Sequence, residues 1–414
     1  MTIASNSHLT LNQIATQLEQ PGAKLRVNNG DFYVKQSSKY GQLVAYFSEK
    51  GLDFLPSVKK HQQNNKATVE LFKQVAAGYG VNVADSGKKT LSASTVNFVL
   101  DNRKHNFGTI AGTIADRYGA QVSSDVSFGV FRGVFYDSNK EAIGARFGDI
   151  LPPKHSQVHL SNGLAVHANK ISIKDDIASF IPNKGETFAM QAPTKQTRST
   201  IDTQANVWKM IAEQKIGVVV DLTNAVDEKK RAIPQYRPVE NNEPKPFGQT
   251  VVTKIKLGDS SRGPLYDQKL ADGDITKTKY SVAKRNEQAG RADQVRAIKF
   301  HKWPDHGVIK LEQLSRLVEV ISDAREKSTS GNVLVHCTAG VGRTGTVITA
   351  EKLYQLNKTD KLNLANYKET VDNLIADGRV SRGKAYVQTE EQYKLLQEYA
   401  ASLVQAESDY VYYS

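Results

Sequence analysis

The run Val335-His336-Cys337-Thr338-Ala339-Gly340-Val341-Gly342-Arg343-Thr344-Gly345-Thr346 constrains this chain more than any other, because its two flanks ask for different secondary structures. Ahead of it, Gly331-Asn332-Val333-Leu334-Val335 has the apolar density of a buried strand, and behind it Val347 through Leu353 carries apolar residues at helical spacing. A strand that feeds a helix through a turn of small residues belongs to an α/β layer architecture, with the turn at one end of a sheet. Ala339, Gly340, Gly342 and Gly345 let the backbone curl, so the N–H groups of Thr338, Ala339, Gly340, Val341 and Gly342 can point inward as an anion nest. The unpaired amides and positive dipole end of the following helix favour a bound dianion.

Cys337 is the sole cysteine among 414 residues, and it opens this nest. A free cysteine is most often a small buried hydrophobe. Here the loop amides and the Arg343 guanidinium are expected to depress its pKa and yield a thiolate, an activated nucleophile at phosphorus. Arg343 suits the position better than lysine because its planar fork can hold two phosphate oxygens as the transition state flattens. Thr344 is placed to hydrogen-bond the sulfur as it leaves. With one cysteine, and no histidine pair that would make a zinc site with it, no zinc site is expected.

Expelling an aryl oxygen needs a proton donor, and Phe300-His301-Lys302-Trp303-Pro304-Asp305-His306-Gly307-Val308 supplies Asp305 as the candidate general acid. Trp303 is an anchor, Pro304 a stiff turn and Gly307 a hinge.

Together these segments resemble the catalytic domain of the protein tyrosine phosphatases of the Cys-x5-Arg type. Ala145-Arg146-Phe147-Gly148-Asp149-Ile150 resembles the family segment whose aromatic ring stacks on phosphotyrosine and whose aspartate holds the substrate backbone, which implies those roles for Phe147 and Asp149. Ala189-Met190-Gln191-Ala192-Pro193, the helix around Trp208, and Val387-Gln388-Thr389-Glu390-Glu391-Gln392-Tyr393 follow in the family order. The resemblance implies a twisted mixed sheet flanked by helices and hydrolysis of phosphotyrosine in proteins through a phosphocysteine. It further implies that Gln388 orients the hydrolytic water, that His336 supports the thiolate from behind, and that no metal or other cofactor takes part. Departures are Phe147 for tyrosine, Ala145 for asparagine and Ala192 for glycine. Either Asp227 or Glu228 matches the glutamate that pairs with the cradle arginine, and the neighbouring sequence leaves the choice open.

The resemblance runs over residues 141–405, leaving a smaller α/β domain at 21–140, a polar segment at 1–20 and a tail at 406–414. In the N-terminal part, Asp31–Lys35 and Gln42–Phe47 read as strands joined through Gly41, and Ala67–Ala77, Ala93–Leu100 and Ile110–Tyr118 as helices. Lys88–Thr90 and Asp137–Lys140 read as surface linkers, and the tyrosine-rich end as a frayed terminus. The net charge of +12 is spread evenly, with 16 basic and 10 acidic residues in 1–140 and 39 and 33 in the rest, which argues against a nucleic-acid tail. Neither a secretory signal peptide nor an apolar run of bilayer length is present. A polar, uncharged start, a small α/β part and a C-terminal phosphatase resemble effectors injected by bacterial type III secretion systems. That implies delivery to a host cytoplasm and a secretion chaperone on the N-terminal part; the alternative is a cytoplasmic enzyme with an accessory domain. Three other functions are weighed against tyrosine phosphatase: a dual-specificity or lipid phosphatase, a phosphotyrosine-binding adaptor, and a scaffold or GTPase regulator in the N-terminal part.

Overall fold

The computed structural model describes residues 9–28, 31–38, 42, 44–45, 48, 56–83, 91–128, 143–182, 185–196, 201–224, 232–255, 274–285, 292–301, 303–304 and 307–411. Contacts divide the chain into two units, Met1–Val130 and Phe131–Ser414.

In the first unit, helix α1 (Leu11–Leu18) starts at a capping box in which Thr10 and Gln13 bond each other's backbone. Strands β1 (Ala23–Asn28) and β2 (Asp31–Gln36) pair antiparallel. Helices α2 (Pro56–Gly78), α3 (Ala93–Asn102), α4 (Ile110–Tyr118) and α5 (Ala120–Phe128) follow. The apolar faces of α1, the hairpin, α2 and α3 meet in a core containing Leu11, Ile14, Phe32, Phe72, Val75 and Val96, which Ala115 of α4 joins. The strand expected at Gln42–Phe47 is not formed by its described residues. Gln42, Val44 and Ala45 are helical, the Gln42 N–H donating to the Ser38 carbonyl, and β2 takes Ala23–Asn28 as its partner. The Asn29-Gly30 pair between β1 and β2 is the stronger hairpin signal, and it outweighs the turn assigned to Gly41. The helix expected at Ala67–Ala77 extends back to Pro56. The proposed linkers Lys88–Thr90 and Asp137–Lys140 lie outside the described residues.

The second unit is built on a nine-stranded mixed sheet. Its strands are β3 (Gln157–His159), β4 (Ala165–Lys170), β5 (Thr187–Gln191), β6 (Ile216–Asp221), β7 (Pro244–Phe247), β8 (Thr250–Lys254), β9 (Ile275–Lys284), β10 (Asp293–Phe300) and β11 (Asn332–Cys337). The spatial order is β3-β4-β5-β11-β6-β10-β9-β8-β7. The four central strands β5, β11, β6 and β10 run parallel, and antiparallel strands extend both edges. Central strands are covered on both faces, and accordingly every residue of β6 is buried. The helices are α6 (Asp175–Ala178), α7 (Gln204–Glu213), α8 (Leu311–Glu326), α9 (Gly342–Asn357), α10 (Tyr367–Arg382) and α11 (Glu390–Val411). On α7, Trp208 packs against Tyr236, Phe247 and Tyr280, and its indole N–H donates to the Tyr236 carbonyl at 2.7 Å. At the C-terminus, α11 runs past residue 405 to Val411, where fraying was expected.

Candidate active site

Parallel strands bring their C-terminal ends to one edge, so β5, β11 and β6 end together: Cys337 is level with Gln191, and His336 with Asp221. Cys337 is 3% exposed, and its sulfur accepts the Gly340 N–H at 3.2 Å. Burial acts most strongly on the thiol and pushes its pKa up, but the Arg343 charge, the Thr344 hydroxyl and amide and the Gly340 amide together outweigh it. The net result is a lowered pKa, as a thiolate nucleophile requires. Gly340 has φ +75°, and a Cβ there would stand 2.2 Å from the Met190 carbonyl oxygen, so glycine is needed for both conformation and space.

Arg343 lies in the first turn of α9 and is buried. Its guanidinium donates to the Thr338 hydroxyl at 3.0 Å, the Leu222 carbonyl at 3.2 Å and the Trp303 carbonyl at 3.5 Å. The Thr344 hydroxyl is buried without a partner at hydrogen-bond geometry, although it is close enough to lower the Cys337 pKa. His336 is fully buried, with Nε2 2.7 Å from the Tyr236 hydroxyl. Burial pushes its pKa down to about 4 against the nearby Asp221 charge, so the imidazole is neutral near pH 7.

From behind, Arg382 braces the loop by donating to the Gly340 carbonyl at 2.9 Å and the Ala339 carbonyl at 3.3 Å. It also reaches Asn169 at 2.6 Å and His167 Nδ1 at 3.1 Å, while His167 Nε2 bonds the Ile150 carbonyl at 2.7 Å. This chain of bonds links the cradle to the Phe147–Ile150 segment. A second link runs through Gln191, which accepts the Arg146 N–H at 2.9 Å and donates to the Gly144 carbonyl at 2.6 Å. Phe147 is half-buried on this segment and Asp149 exposed.

Gln388 approaches from the loop after α10. A Cβ on Gly342 would lie 3.1 Å from its side-chain oxygen, so the side-chain amide rests against the cradle, and the Gln388 backbone N–H donates to Oε1 of the buried Gln392 at 2.8 Å. Its position is enforced: Val387 has φ +53°, Arg379 donates to the Tyr386 and Val387 carbonyls, and the Tyr386 ring fills the spaces where Cβ atoms of Gly345 and Gly378 would stand.

A family model described as "Protein-tyrosine phosphatase" matches residues 142–402, more than half of the chain. The chain belongs to the protein-tyrosine phosphatase family. Among its relatives, receptor-type tyrosine-protein phosphatase eta of Gallus gallus is 28% identical over 270 residues, covering 64% of this chain and 17% of that protein. Receptor-type tyrosine-protein phosphatase C of Rattus norvegicus is 33% identical over 227 residues, covering 54% and 16%, and tyrosine-protein phosphatase 99A of Drosophila melanogaster is 30% identical over 256 residues, covering 61% and 18%. The chain thus spans less than a fifth of the length of each of these relatives.

Within this phosphatase-family unit, the structure gathers Cys337, Thr338, Ala339, Gly340, Val341, Gly342, Arg343 and Thr344 in one loop, with His336 beneath it and Gln388 beside it. Asp305 lies outside the described residues, as do Asp227 and Glu228. The stems of the Asp305 segment are fixed: Trp303 is fully buried, its indole donates to the Gly307 carbonyl at 3.1 Å, and its own carbonyl accepts from Asn224 at 3.0 Å as well as from Arg343. Sequence reading missed Arg382, Gln191 and Gln392 as supports of the cradle. Gln191 and Gln392 stood in segments already singled out, and Arg382 is a polar residue whose burial appears only in three dimensions.

Proposed function

We propose that this chain hydrolyses phosphotyrosine in proteins through a phosphocysteine intermediate. The observation that carries the reading is the buried Cys337 sulfur, its pKa lowered, facing the Gly340 amide and the Arg343 charge inside a loop too tight for any side chain at Gly340. The thiolate attacks phosphorus, the P–O bond to tyrosine breaks, and Asp305 gives its proton to the departing oxygen. Water positioned by Gln388 then attacks the phosphocysteine, Asp305 takes its proton, and the P–S bond breaks. The Thr344 hydroxyl, buried beside Cys337, is placed to stabilise the sulfur as it leaves. Loop amides and Arg343 offset the phosphate charge where a metal otherwise would. Phe147 at the rim favours a ring as long as tyrosine over a shorter phosphoserine, which sets this reading above a dual-specificity one. Turnover of matched phosphotyrosyl and phosphoseryl peptides tests it, with Cys337→Ser as a substrate trap. Equal turnover of both peptides, or turnover by Cys337→Ser, removes the assignment.

The division into a phosphatase domain at 141–405 and an N-terminal part with its own role belongs to the same proposal. Reading that part as the chaperone-binding portion of a type III effector rests on its composition and the order of parts, and the animal receptor-type relatives add nothing to it. A reporter fused to residues 1–140 that no type III system exports would remove it.

A further inference from the structure

Three neighbouring strands place Lys299, Asp221 and His336 in one row. Lys299 on β10 and His336 on β11 are both register partners of Asp221 on β6, and Cys337 is the residue after His336. Asp221 is 2% exposed and bonded at both oxygens: Arg237 holds one, and the other accepts from Lys299 at 2.9 Å, the Thr223 amide at 2.9 Å and the Thr223 hydroxyl at 2.7 Å. His336 Nε2 lies 3.9 Å from the same carboxylate. Lys299 also donates to the Thr223 carbonyl and hydroxyl.

Two partly buried cations therefore share one buried carboxylate, and among the described residues the group carries an excess positive charge. A buried ion pair is ordinarily neutral, because an uncompensated charge in the interior is costly. The excess here has a use, since the row ends beside the group that must become an anion. Among the described residues, the following charged and titratable neighbours fit that arrangement. Tyr236 bonds His336 and stands under the Arg237 guanidinium, Tyr280 faces Arg237, and Arg343 faces Lys299 from α9 while holding the Leu222 carbonyl next to Asp221.

We propose that Lys299 and Asp221 are positioning residues of opposite sign, Lys299 supplying and Asp221 limiting the positive charge behind the Cys337 thiolate. The inference rests on Cys337 acting as a thiolate. The backbone of Lys299 stands about 10 Å from that of His336, two strand spacings across the sheet, with Cys337 one residue further along β11. At about that separation one unit of partly buried, partly screened charge moves a pKa by roughly 0.5 unit. Arg237 alone suffices to pair Asp221, so removing the Lys299 charge leaves a neutral pair, and removing the Asp221 charge leaves two cations.

The test is the pH dependence of alkylation by iodoacetamide in the full chain, followed by mass spectrometry. Cys337 is the sole cysteine, so the label reports that thiol alone and reads out without phosphatase turnover. Lys299→Met is expected to raise the midpoint of the alkylation profile by about 0.5 unit, and Asp221→Asn to lower it by a similar amount. Lys299→Arg, which keeps the charge, is expected to keep the wild-type midpoint. Loss of packing alone would move the first two in the same direction, so a shared direction, or no shift in Lys299→Met, overturns the proposal. If Asp221→Asn does not fold, Lys299→Met against Lys299→Arg decides: a higher midpoint in Met supports the assignment and equal midpoints refute it. Failure of the phosphotyrosine reading would show instead as absent turnover with these profiles unchanged.

Discussion

Replacing Gly340 by alanine sets two separate costs against the cradle. The first is conformational: φ is +75°, and an L side chain held in that region costs about 1 kcal/mol. The second is steric: the new Cβ would stand 2.2 Å from the Met190 carbonyl oxygen and 2.3 Å from its carbon, where ordinary contact begins at 3.4 Å. Either the loop or β5 must therefore move by about 1 Å, and a misplacement of that size in a reacting array costs roughly 10²-fold in rate. The displaced group is the amide that donates to the Cys337 sulfur at 3.2 Å, so the thiol pKa should rise as turnover falls. The assay is kcat/KM for a small aryl phosphate, with thermal unfolding measured in parallel. Gly163→Ala is the control, because Gly163 has φ +80°, an added Cβ there would meet nothing within 4 Å, and the residue lies in the β3–β4 turn. It should show the conformational cost, about 1 kcal/mol, with full activity. Gly340→Ala retaining more than about a third of wild-type kcat/KM would refute the claim that cradle geometry within about 1 Å governs the rate.

Asp305→Ala is expected to lower turnover of phosphotyrosyl peptides by at least about 10²-fold, and an unchanged rate removes the residue from the acid role. Stability should depend on pH through His336 and His167, whose pKa values are pushed down to about 4 and about 3, chiefly by burial. Because the folded pKa of each is below its unfolded value, the stabilisation is fully present above about pH 6.5 and is lost as pH falls, by about 2 kcal/mol each on reaching about pH 5. Urea unfolding at about pH 7 and about pH 5 should show that fall, and His167→Gln should lessen it; an unchanged pH dependence in the variant contradicts the neutral buried imidazole.

The strand–nest–helix run at 331–353 was legible because every part of it is local. Apolar density marks β11, small residues mark the turn, and the spacing after Gly345 marks α9. Phe147, Asp149 and Gln388 were reached through family resemblance, since nothing in their own neighbourhoods points to phosphate. The hairpin was misjudged because two plausible turns competed and a pattern of alternating residues does not choose between partners.

By itself, then, the sequence determined the α/β class and pointed to Cys337 and Arg343 as the proposed nucleophile and clamp, all of which depend on residues adjacent in the chain. Only the tertiary structure decided what supports them. Arg382 reaches the Gly340 carbonyl across 42 positions, and Lys299 meets Asp221 across 78. A buried charge is stable only beside its partners, and those partners are set by strand order, which the linear sequence does not display.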